Sequence, residues 1–190
     1  MAAAAATEHG PDMHTTTSDI RDRAARRVEI RPLAPGDREG LAQAFSRLSE
    51  ETRRRRFRGL ASQLAERDLD RLTQIDHHHH EALAAIAPDS GRIVGVARFI
   101  TMPDDPRAAE VAIAVDDEWQ GLGIGRRLMS ELVGRAGAEG VDRLLAYVGA
   151  DNRPVRSWIA RAGGVAEAYD GDETVYSIAL DRPADERRAA

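Results

Sequence analysis

The chain contains no cysteine, which excludes disulfides, thiolate metal sites and a cysteine nucleophile. Lysine is absent too: all 27 residues of the Lys+Arg count are arginine, so the protein carries no side-chain amine of its own. Genomic base composition is a sufficient cause of that bias. Aromatic residues make up 4% of the chain and the net charge is −5, a combination that argues against a nucleic-acid-binding surface or attraction to anionic lipid. No stretch approaches the roughly 20 consecutive apolar residues of a membrane span. Met1 is followed by five alanines, but no basic segment precedes them and Glu8, His9, Gly10 and Pro11 end the run too early for a signal peptide. These absences lead us to expect a soluble, cytoplasmic protein.

A chain of 190 residues has room for one domain of about 150 residues and a tail. Residues 1–26 lack apolar periodicity and read as a disordered tail, 27–182 as the domain, and 183–190 as a flexible C-terminus. Val28 to Arg31 alternate as a strand ended by Pro32, and Pro35-Gly36-Asp37 opens a helix with Leu41, Ala44, Phe45 and Leu48 on one face. Ser49 can cap a second helix carrying Arg53 to Arg56, and a third runs over about Glu66 to Gln74. Strands are expected at Ala82–Ala87, Ile93–Ile100, Glu110–Val115 and Arg143–Val148. A helix from about Gly123 to Glu139 lies between the last two. A further helix opens at Asp151-Asn152, and a hairpin turns around Asp170-Gly171-Asp172. The fold class is α/β, with layered helices and sheet.

Gln120-Gly121-Leu122-Gly123-Ile124-Gly125 stands where a strand gives way to the long helix. Glycines bring the main chain close to a phosphate and accept the positive φ that turns successive N–H groups inward. The first helical turn adds unpaired N–H groups and the positive end of the helix dipole. The pattern therefore suits a pyrophosphate, with Arg126 and Arg127 following within reach of further oxygens. Dinucleotide folds use the same physics, but their glycines run G-x-G-x-x-G, and here they fall at 121, 123 and 125 with no acid-terminated strand about 20 residues on.

The stretch Val115 to Gly125 resembles the acyl-CoA signature Q/R-x-x-G-x-G/A of the GNAT superfamily of N-acetyltransferases, and Asn152 and Gly163 resemble its next segment, N-x-x-A…G. More narrowly, Ser49-Glu50-Glu51 to Arg56-Phe57, Asp76-His77 to Leu83, and Ala109 to Ala112 resemble the acetyltransferase domain of bacterial Pat-type protein-lysine acetyltransferases. The resemblance covers residues 28–180. It implies a mixed, mostly antiparallel sheet of six or seven strands flanked by helices and splayed between strands 110–115 and 143–148. It also implies acetyl-CoA as co-substrate and a primary amine as acceptor, with a protein lysine as one candidate; in the Pat type the domain is often fused to a cyclic-nucleotide-binding or CoA-ligase-like module, and neither is expected to fit in 190 residues.

Within that frame Glu110 is the candidate general base. Spacing alone leaves it equally a water-exposed strand glutamate, sharing a face with Ala112 and Ala114, but the Pat-type resemblance puts the family's catalytic glutamate there. The free backbone groups of Ile113 and Val115 would pair with the pantetheine arm as a pseudo-strand. Gln120, Gly121, Leu122, Gly123, Ile124, Gly125, Arg126 and Asn152 complete the coenzyme set. The tyrosine that many relatives place seven residues after the asparagine is Ile159 here, so no general acid is assigned. Asp116, Asp117 and Glu118 read as turn and cap residues, because free carboxylates would repel the coenzyme. Adjacent His77 to His80 show no converging ligand spacing and no metal is expected; Arg53 to Arg56 read as a solvated helix face. Trp119 and Trp158 read as core. The other readings are a small-amine acetyltransferase and a CoA-sensing module without catalysis. Oligomeric state is not legible.

Overall fold

The computed structural model describes residues 23–57 and 64–180. Seven strands form one sheet: β1 (Glu29–Pro32), β2 (His80–Ile86), β3 (Ile93–Met102), β4 (Asp105–Val115), β5 (Arg143–Gly149), β6 (Val165–Asp170) and β7 (Glu173–Ala179). Their spatial order is β1-β2-β3-β4-β5-β7-β6. Among the described residues, five helices of eight residues or more accompany them: α1 (Arg38–Arg47), α2 (Glu50–Phe57), α3 (Glu66–Thr73), α4 (Ile124–Ala138) and α5 (Arg153–Arg161).

The sheet divides the core into two layers. Alternation sends Leu83, Ala85, Ala97, Phe99, Ala109 and Val111 to the face covered by α4, whose Ile124, Leu128, Met129 and Leu132 are buried against them. Each such side chain contributes roughly 1.5–3 kcal/mol by leaving water. Gly95 lets α4 approach β3 closely, since a Cβ there would lie 3.1 Å from Leu128 Cδ1. The opposite face, with Ala82, Ala84 and Val96, is covered by Leu41 of α1 and Leu69 and Leu72 of α3. Helix α4 ends where Gly140 takes φ +82° and Val141 N donates to Ala136 O at 3.0 Å, a left-handed stop that turns the chain straight into β5.

Every neighbouring pair is antiparallel except β4 and β5. These two run parallel and pair only at Ala108–Arg143, Ala109–Leu144 and Glu110–Leu145. Beyond Glu110, β4 stays with β3 as far as Val115 while β5 follows β7. The sheet is thus split from Glu110 onward, as expected. Strand β4 is longer than expected: it starts at Asp105, because the turn after β3 is confined to residues 103–104. Packed chain also begins ahead of residue 27, since residues 23–26 are helical and Ala25 is buried. The remainder of the expected tail and the C-terminus from 181 lie outside the described residues.

Candidate active site and coenzyme cleft

The site grows out of the split. Asp116 N donates to Val94 O at 2.9 Å, and the alternation of an antiparallel ladder then turns the backbones of Ala112 and Ala114 toward β3 and those of Ile113 and Val115 toward the gap. One of the gap-facing groups is already used: Val115 O accepts from Gln120 Nε2 at 3.0 Å. The Gln120 side chain therefore takes up one acceptor at the end of β4, while Ile113 and Val115 both line the cleft.

The loop that follows has the geometry its glycines allow. Gly121 and Gly123 adopt φ +76° and +79°, a region costly to residues with a Cβ. The first hydrogen bond of α4 runs from Arg127 N to Gly123 O at 3.1 Å, so the N–H groups of Ile124, Gly125 and Arg126 have no acceptor inside the helix. Gly121, Gly123, Gly125 and Arg126 line a cleft of about 550 Å³ together with Ile113 and Asn152. Ile124 also borders the cleft although its side chain is buried in the core, whereas Leu122 packs on the core without bordering it. The branched face of β4 sets the back of the loop: a Cβ on Gly125 would meet Ile113 Cδ1 at 3.4 Å. Arg127 does not serve the cleft; its guanidinium donates to Ala25 O and Val28 O at 2.9 and 2.7 Å and ties down the N-terminal segment.

The acids beside the loop are structural. Buried Asp116 accepts from Arg47 Nε at 3.1 Å and from Glu118 N at 3.3 Å. Asp117 accepts from Ser49 N, Ser49 Oγ and Thr52 Oγ1, each at 2.8 Å. Burial raises the Asp117 pKa, but these hydrogen bonds outweigh it and hold the carboxyl below its ordinary value. Asn152 caps α5 by accepting from Val155 N at 3.4 Å while it borders the cleft.

The four arginines of α2 make specific contacts, Arg54 and Arg55 sharing Asp151, so the run is more than a solvated face. Arg53 lies 5.9 Å from the centre of the Phe45 ring, Arg54 pairs with Asp151 at 2.7 Å, and Arg55 pairs with Glu51 at 2.5 Å. Arg56 turns to the sheet and borders both the cleft and the pocket at the split. Burial lowers its pKa to about 10, with Glu110 acting in the opposite sense. That pocket is lined by Glu110, Arg56, Ile113, Tyr147, Trp158 and Ile159 among others. Ile159 is fully buried and offers no hydroxyl; sequence reasoning missed Tyr147, a residue of β5 that lines this pocket. Trp119 and Trp158 pack against the core, as expected, yet both also border the cleft.

The histidines go separate ways. His77 Nδ1 is 2.9 Å from Glu81 Oε1, His78 Nδ1 is 3.0 Å from Glu139 Oε2, and His79 Nδ1 is 3.3 Å from Thr101 Oγ1. His80 Nε2 accepts from Arg98 at 3.1 Å. No cluster able to hold a metal occurs among the described residues. Nor, among them, is any helix long and apolar enough to cross a membrane.

Residues 45–163 match the Acetyltransferase (GNAT) family. This chain is a GNAT acetyltransferase. It is 32% identical to Acetyltransferase PA5475 of Pseudomonas aeruginosa over 159 residues, covering 82% of this chain and 85% of that one. To Acetyltransferase Pat of Mycolicibacterium smegmatis it is 32% identical over 150 residues, which is 79% of this chain but 45% of the relative. Among solved structures, the GNAT domain of S. lividans PAT superposes with a TM-score of 0.74 at 25% identity, covering 80% of this chain and 90% of that one. Acetyl-CoA is accordingly the co-substrate of this GNAT enzyme. The residues present suit it, because the glycine loop presents free amides at a helix start and the cleft continues to the split in the sheet.

Proposed function

We propose that this GNAT enzyme transfers acetyl from acetyl-CoA to a primary amine by direct attack, with Glu110 as general base. The amides of Gly121 to Arg126 bind the pyrophosphate, Arg126 adds charge at the rim, and Asn152 borders the arm on the α5 side. Ile113 and Val115 pair their gap-facing backbone groups with the pantetheine arm, Val115 O accepting from Gln120 Nε2 as well. The observation that carries the reading is the position of Glu110: it is the last residue of β4 paired to β5 and lines the pocket that opens there.

An amine near pKa 10.4 is almost wholly protonated at neutral pH and attacks only as the free base. Glu110 accepts that proton, the nitrogen bonds to the thioester carbon, and the C–S bond breaks to release coenzyme A as thiolate, which takes up the second proton shed by the acylated nitrogen. A thiol of pKa near 8.5 leaves tolerably without an acid. We place the reaction in the cytoplasm, where acetyl-CoA is supplied. A protein lysine and a small-molecule amine are the candidate acceptors, and an acceptor panel with a thiol-release readout separates them. The test of the base is Glu110→Gln. Turnover should fall by about 10²-fold or more while acetyl-CoA affinity holds; unchanged turnover discards Glu110 from this role.

A further inference from the structure

The register of the sheet carries Glu110 into a row that crosses six strands. His80 of β2 pairs with Ile100 of β3, Ile100 with Glu110, and Glu110 with Leu145 of β5. Leu145 pairs in turn with Ser177 of β7, and Ser177 with Val165 of β6. Directly paired residues point to the same face, so these six side chains stand in one line. It is the face away from α4, because the residues flanking the row along their strands, Phe99, Ala109, Val111, Leu144, Ala146 and Ile178, belong to the layer under α4.

The apolar layer under α1 and α3 takes residues from β2 and β3 and, among the described residues, none from β5, β6 or β7. The line is accordingly open to water: Ile100 is 38% and Val165 64% exposed, and Leu145 and Ser177 are half-buried. Neighbouring strands lie about 4.8 Å apart, so from Ile100 to Val165 the line runs about 19 Å. A small amine cannot cover that length, whereas an extended polypeptide can. In such a chain every second side chain turns to the sheet, at intervals of about 6.8 Å. With an acceptor lysine over Glu110, the side chains two places to either side come within reach of Ile100 and Leu145. A side chain four places away, at about 14 Å, comes over Val165, three strands from Glu110. The charge agrees with a cationic partner: Glu173 and Asp170 pair with each other on the same face, and Glu173 lines the Glu110 pocket.

We propose that this line is a docking track for a polypeptide acceptor, with the lysine amine at Glu110 and apolar side chains two and four places away resting on Ile100, Leu145 and Val165. This rests on the reading of the Glu110 pocket as the place where the amine attacks. What it adds is the kind of acceptor and the neighbours of the lysine that the enzyme selects.

The probe is coenzyme A joined through an acetyl bridge to the lysine Nε of a peptide with four residues on each side of the lysine. Leucine stands two and four places from the lysine on both sides and alanine elsewhere. One control conjugate has serine in place of every leucine, and the other carries N-acetyl-lysine amide alone. In titration calorimetry on the full chain, the leucine conjugate should bind at least about 5-fold more tightly than either control. Ile100→Ser and Val165→Ser alter exposed positions, so coenzyme A itself should bind within about 2-fold of wild type. At least one of them should cut the leucine preference by half or more. A smaller preference over either control, or one that neither substitution reduces, overturns the proposal. Should a serine variant lose coenzyme A binding, threonine, which suits a strand, takes its place under the same criterion. Binding is read without turnover, so the two readings fail separately: unchanged turnover in Glu110→Gln removes the base, and equal binding of the conjugates removes the track.

Discussion

Gly123→Ala tests the coenzyme loop because it separates two effects that the structure keeps apart. Gly123 holds φ +79° and ψ 0° as the residue capping α4. A Cβ built there meets no protein atom within 4 Å, so the substitution causes no steric clash within the protein. The cost is conformational, about 1–2 kcal/mol for a left-handed alanine, and for a domain of this size that is a loss of roughly 2–8 °C in Tm. Affinity should suffer separately. If the backbone relaxes toward negative φ, one inward amide turns away, and a hydrogen bond to a charged group contributes about 1.5–3 kcal/mol. That corresponds to coenzyme A binding about 10- to 150-fold weaker. Gly134→Ala is the matched control, since Gly134 sits within α4 with open space at its Cβ and alanine there should stabilise by about 0.5–1 kcal/mol. Titration calorimetry with coenzyme A and thermal melts on both variants give the four numbers. A Gly123→Ala protein that melts early yet binds coenzyme A within 2-fold of wild type would refute the claim that these amides grip the pyrophosphate.

Gly164→Ala should destabilise by about 1–3 kcal/mol or more, measured by denaturant unfolding, because its Cβ would fall 2.3 Å from Ile159 Cγ2 and 3.1 Å from Ile159 O. Arg47→Ala should cost about 3 kcal/mol or more, since it strips Asp116 of its charged partner in a buried setting; Arg47→Ala paired with Asp116→Ala should be less damaging than the two single losses summed. Stability should also fall as pH drops from 6.5 toward 4. His80 titrates near its ordinary value when unfolded and at about 4 when folded, so between those values the unfolded chain binds the extra proton and is favoured. His80→Asn should flatten that stretch of the profile, read by urea unfolding at stepped pH.

How much of this was legible in the sequence depends on how local each feature is. The glycine loop could be read because positive φ at Gly121 and Gly123 and the orphan amides of a helix start are properties of adjacent residues. The helices and strands were readable for the same reason, to within a few residues, and so was the capping role of Asp116, whereas the Ser49 and Thr52 partners of Asp117 lie 65 to 68 positions away. The arginine and histidine runs were not. Consecutive residues on α2 point in different directions, so neighbours in sequence met different surroundings: the Phe45 ring for Arg53, Asp151 for Arg54 and Arg55, and the buried pocket for Arg56. Arg126 and Arg127 were alike in sequence but part company across the start of α4, one at the cleft and one on Ala25 and Val28.

By itself, then, the amino-acid order determined a backbone that can hold a diphosphate, the alternation that puts Glu110 beside small residues, and the lack of a hydroxyl at Ile159. Tertiary structure decided where the sheet parts, because β4 and β5 are joined through a whole helix and their three-residue pairing ends at Glu110. It also decided that Arg56 and Arg98, 42 positions apart, share one buried pocket. Burial and charge act through space, and nothing in the order of residues states which distant side chains will lose their water together.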